Sequence, residues 1–107
     1  MFKKITVDGN EMEFAANAAT PFRYKQVFHR DLLGILGNEK EAETKGVEVV
    51  TELAYIMHKQ AEKADMNKLT YDEFMSWLED YSPMAFVDAA EDILAVYVDS
   101  AQTTSTP

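Results

Sequence analysis

The 107-residue chain has no cysteine, so disulfide scaffolds, thiolate zinc sites and cysteine nucleophiles are excluded together. Its two histidines fall on different predicted helices and make poor material for a metal site. With four glycines in all, no glycine-rich loop follows a strand, and no serine stands in a Gly-x-Ser-x-Gly elbow. Carboxylates are many, but they have the spacing of solvated helix faces. No catalytic residue, cofactor or metal ligand is assigned on this pattern. Apolar runs are short, and none approaches the ~20 residues that cross a bilayer. Lys3 and Lys4 are followed by alternating polar and apolar residues instead of the continuous apolar stretch of a secretory signal. The expected location is the cytoplasm.

Positive charge is absent from a whole third of the chain. Residues 70–107 hold no lysine or arginine against eight acidic side chains, a net of −8, whereas residues 1–69 hold ten basic against eleven acidic ones, a net of −1. A surface of that sign repels phosphate backbones and anionic membranes, so neither nucleic acid nor membrane is an expected partner. A basic or mixed-charge protein fits it better. Both arginines, together with Lys25 and His29, are gathered in "TPFRYKQVFHRDLL", residues 20 to 33.

What is present is the material of one soluble domain: 47% apolar and 27% charged residues, in a length that hides roughly 65% of the unfolded chain's surface in a single core. "KKITVDGNEMEFAA" alternates with period two around Asp8-Gly9, a favoured hairpin turn, and predicts strands near 3 to 7 and 10 to 15. An isolated ribbon is marginal in water, so its apolar face must pack on the helices that follow. Thr20-Pro21 reads as a cap followed by a first-turn proline, opening a helix over about 21–36 that stops at Gly37. Its apolar stripe is Phe22, Val27, Phe28, Leu32, Leu33, Ile35 and Leu36, with Arg23, Lys25 and Arg30 on the other side.

Asn38 and Glu41 have capping-box spacing for a second helix over about 39–65. Its predicted core face runs through Val47, Val50, Leu53, Ala54, Met57, Ala61 and Ala64, and Gly46 weakens its opening turns. Thr70 with Glu73 opens a third helix, 71–81, carrying a stripe of Tyr71, Phe74, Leu78 and Tyr81. Ser82-Pro83 opens a fourth, 83–99, apolar over a wide arc that includes Phe86, Ile93 and Tyr97. A helix this apolar is central, or it meets a partner. The expected fold is α+β, mainly α: an N-terminal β-hairpin (3–15) packed on about four helices, residues 1–99 forming one domain and 100–107 a disordered polar tail.

"EKADMNKLTYDEF" invites comparison with a calcium loop. Placing Glu73 at the twelfth position puts Glu62 first, Ala64 third, Met66 fifth and Asn67 sixth, so two ligand positions are apolar. A capping box explains the same letters without metal. A calcium-responsive module therefore stands as an alternative, and an acidic inhibitor imitating nucleic acid, supported only by residues 70–107, as another.

The stretch "ITVDGNEMEFAANAATPFRYKQVFHRDLL" resembles the beginning of tail assembly chaperones from siphophages and prophages of Gram-positive bacteria. The likeness runs through the hairpin, the "TPFRYKQVF" helix start and the helical remainder, covering most of residues 3 to 99. It implies a non-enzymatic protein of the bacterial host cytoplasm that coats and solubilises the long helical tape-measure protein and is not retained in the virion. It further implies recruitment of the tail-tube protein through a longer product made by ribosomal frameshifting.

Two sets of residues follow as candidates. Arg23, Lys25 and Arg30 form a basic face that either meets the acidic face of another copy in self-association or offsets nearby carboxylates within one monomer. Phe86, Ile93 and Tyr97 are candidates for gripping the client and also good core candidates, with burial the expected outcome for at least Phe86 and Ile93.

Overall fold

In the computed structural model, which describes residues 2–102, Asp8 and Gly9 both take positive φ, 55° and 81°. This is the turn geometry whose twist matches the flanking strands. It joins β1 (Phe2–Val7) to β2 (Asn10–Ala15) in the antiparallel register Ile5↔Met12 and Val7↔Asn10. Ile5, Val7, Met12 and Phe14 face inward and are buried, while Lys4, Thr6, Glu11 and Glu13 face water, as period-two alternation requires. The fold is α+β and mainly α: among the described residues, this ribbon is followed by six α-helices and a short 3₁₀ turn.

The helices are α1 (Thr20–Phe28), α2 (Leu32–Leu36), α3 (Glu39–Ala61), α4 (Tyr71–Leu78), α5 (Ala85–Asp88) and α6 (Ala90–Gln102), with the 3₁₀ turn at Met66–Lys68. The central element is α3, not the last helix. It touches β2, α1, α2, α5 and α6, and every side chain from Glu52 to Met57 is buried. A helix buried around its whole circumference sits in the middle of a domain. Val49, Tyr55 and Ile56 therefore belong to the core alongside the single face that periodicity picks out.

Several sequence boundaries are corrected. The helix expected over 21–36 is two helices, because His29 adopts a left-handed conformation (φ 57°) and its N–H closes on Lys25 O. For a residue with a β-carbon that conformation costs about 1–2 kcal/mol, and here it swings the chain so that Arg30 points back towards α3. Phe22 and Leu33, assigned to its apolar stripe, are exposed, as is Val47 on α3. Thr20 does not cap α1 from outside. It is the first helical residue and is buried, its hydroxyl accepting from Asn17 N–H and donating to Gln60 Oε1.

The helix expected over 39–65 ends at Ala61, and the one over 71–81 ends at Leu78. Their starts stand as expected, with Asn38 accepting from Glu41 N–H and Thr70 from Glu73 N–H. The helix over 83–99 divides into α5 and α6 at Ala89. Ser82 opens no helix because its N–H and hydroxyl both donate to the Asp8 carboxylate at 3.1 and 2.8 Å. Helix α6 continues to Gln102, into the segment expected as a tail; positions 103–107 of that tail lie outside the described residues. No described helix is long and apolar enough to cross a membrane.

Candidate functional site

The basic stretch splits into two parts with different fates. Tyr24 points into the α1–α3 interface, where its hydroxyl donates to Glu52 Oε1 at 2.5 Å. Glu52 is 3% exposed, and a buried carboxylate needs such partners to remain charged. Arg30 reaches the same place from the elbow after α1, with Nη2 2.5 Å from Glu48 Oε1 and Nη1 3.8 Å from Glu52 Oε1. The second distance suits an ion pair and is too long for a hydrogen bond, and Nη1 has no hydrogen-bond partner among the described residues.

Burial raises the Glu52 pKa above the ordinary carboxylate value, and the Tyr24 hydrogen bond and the Arg30 charge oppose that rise. Burial and the bond to Glu52 likewise push the Tyr24 hydroxyl well above the usual tyrosine range. The hydrogen bond that Arg30 donates to Glu48 holds its guanidinium more firmly charged. Arg30 thus takes the second of its two expected roles, offsetting carboxylates within the monomer and tying the elbow to α3.

The other part of the stretch faces outward. Phe22 is 73% exposed on α1, and Phe22, Lys25, Gln26 and His29 recur at helical spacing along a shallow surface depression. Lys25 makes no ion pair among the described residues, and Arg23 Nη1 is 3.4 Å from Asn67 Oδ1 in the 3₁₀ turn. This face presents an aromatic ring with free positive charge beside it.

A second surface lies around Val47, which is 51% exposed on α3. On one side a groove of about 260 Å³ runs between α2, α3 and α6, floored by Leu36, Gly46, Val50 and Leu94. On the other, a hollow of about 250 Å³ is walled by Thr51, Leu78, Tyr81, Pro83 and Val87. The charged residues lining the first groove are Glu43 and Glu91, with no cation among them.

Phe86 contributes to the wall of the second hollow, but Phe86, Ile93 and Tyr97 are all buried. They are 4%, 0% and 8% exposed, and Phe86 stacks within 5.1 Å of both Trp77 and Tyr81. Their assignment to client binding is corrected: the wide apolar arc of the last helix is used to close the core against α3 and the hairpin. The large apolar side chains left exposed on the acidic third are Tyr71, Met75, Met84, Val87 and Val98.

Residues 62–73 form no loop around a cation-sized centre. Asp65 accepts from Asn67 N–H and lies 3.9 Å from Lys68 Nζ, Thr70 caps α4, and no group of three or more potential ligands converges among the described residues. Sequence reasoning missed Tyr24 and Glu52. The signal was available in the spacing of Thr20, Tyr24, Val27 and Phe28, all buried, which is a better core stripe than one passing through Phe22. Comparison with protein-family models, with curated proteins and with solved structures finds no match for this chain.

Proposed function

We propose that the protein is a non-enzymatic tail assembly chaperone of the siphophage type, which binds the long helical tape-measure protein in the host cytoplasm and associates with itself. One observation carries this reading. After the core has closed, large apolar side chains remain exposed on a strongly acidic third, with Tyr71 and Met75 one turn apart on α4, Met84 just before α5 and Val87 on it. Exposed apolar surface edged with charge serves protein contacts. The chain's resemblance to tail assembly chaperones supplies the client. Recruitment of tail-tube protein through a frameshifted longer form, and departure before the virion is complete, belong to the same proposal.

Self-association draws on Lys25 and Arg23, since Arg30 is engaged within the monomer. The test is co-expression with the helical tape-measure protein, followed by size-exclusion chromatography. Co-elution and a gain in client solubility are expected. A client equally soluble alone, and never co-eluting, removes the assignment.

A further inference from the structure

We propose that Phe22 of one copy inserts into the groove beside Val47 of a second copy, so that the chain assembles head to tail. The inference deepens the self-association within the proposed function and is independent of which client is bound. Three features of the molecule meet in it.

Phe22 is the most exposed large apolar side chain among the described residues and stands on α1 with Lys25 one turn on. The groove between α2, α3 and α6 has a volume of about 260 Å³, and an apolar cavity of about 150 Å³ already holds a benzene ring. The charges match as well, because the Lys25 ammonium has no ion-pair partner among the described residues and the groove is lined by Glu43 and Glu91.

Gly46 is the third feature. It sits inside α3, where glycine costs about 0.5–1 kcal/mol relative to alanine. A β-carbon added there meets nothing within 4 Å, so no internal contact requires the glycine. Its effect is to keep the groove open. Nor can a molecule fill its own groove with Phe22, because Tyr24, Val27 and Phe28 hold the opposite side of α1 against the core. The two surfaces differ, so the contact is heterologous and extends into rings or open chains.

Sedimentation velocity across a concentration series tests this, with circular dichroism melts of each variant. The wild type is expected to gain mass with concentration and to lose it as salt screens Lys25 from the glutamates. Phe22→Asp is expected to remain monomeric with an unchanged melt. Gly46→Leu, which fills the groove, is expected to remain monomeric while melting at or above the wild-type temperature, so that misfolding is not the cause. Mixing the two variants should yield a 1:1 dimer and nothing larger, since one keeps the groove and the other keeps Phe22. A wild type monomeric at every concentration and salt overturns the proposal. So does assembly that survives either substitution, or a mixture that stays monomeric. If the wild type is monomeric and Gly46→Leu instead abolishes co-elution with the tape measure, the groove belongs to the client and the second-copy contact is wrong.

Discussion

The Tyr24 hydroxyl donates to the Glu52 carboxylate at 2.5 Å, joining α1 to the middle of α3 in a place closed to water. Tyr24→Phe keeps the ring and removes only that bond. A hydrogen bond to a charged group contributes about 1.5–3 kcal/mol, and the carboxylate left behind is buried, so a loss of ~2–3 kcal/mol by urea unfolding is expected. A loss below ~0.5 kcal/mol, the range of an ordinary surface substitution, would mean that the bond carries no stability.

The same carboxylate sets a pH dependence. Its folded pKa is raised by burial, so between the unfolded and folded values the native state holds more protons, and stability falls as pH rises through that window. Glu52→Gln should remove this part of the slope, measured as chemical stability across the acidic range. An identical slope in both proteins would contradict the assignment.

At the alkaline end the tyrosines act together. Burial raises Tyr24, Tyr81 and Tyr97 above the ordinary value and Tyr55 up to about 12. Above pH of about 10 the unfolded chain loses protons that the folded one retains, so stability declines there. Ultraviolet absorbance should show the buried phenols ionising together with loss of helix signal. Smooth ionisation of all five tyrosines with the fold intact is the opposing result.

Asp8 is asked to do two things, hold a left-handed turn and accept twice from Ser82. Asp8→Ala should cost ~2–3 kcal/mol, from about 1 kcal/mol per hydrogen bond and the conformational strain on alanine. Ser82→Ala should cost about 1 kcal/mol, and the double variant less than the two together. Strict additivity would mean the two side chains do not interact in solution.

Core and surface apolar residues separate in the same assay. Ile93→Ala removes a fully buried side chain and should cost about 2–5 kcal/mol. Phe22→Ala, on an exposed ring, should stay within about 0.5 kcal/mol. Equal losses at the two positions would reverse their placement.

The hairpin and the starts of α3 and α4 were legible in the sequence because each rests on local chemistry: Asp-Gly at a turn, Asn38 and Thr70 three residues before an N–H they cap. The breaks at His29 and Ala89 were not, since neither carries glycine or proline and both are imposed by packing on α3. Phe86, Ile93 and Tyr97 stand open between core and client in the sequence for a related reason. An arc too wide for one neighbour can indicate a partner or a second side of the same core, and only the position of α3 decides between them. The sequence leaves the role of Arg30 open because its two glutamate partners lie on another helix, 18 and 22 positions away.

The Asp8–Ser82 tie joins positions 74 apart in the chain. On a ribosome, the ribbon therefore emerges long before its anchor exists, and through most of synthesis its open backbone edges are available to any neighbouring strand. Slowing translation ahead of codon 82 should lengthen the interval in which the ribbon lacks this tie and has only its packing on α3.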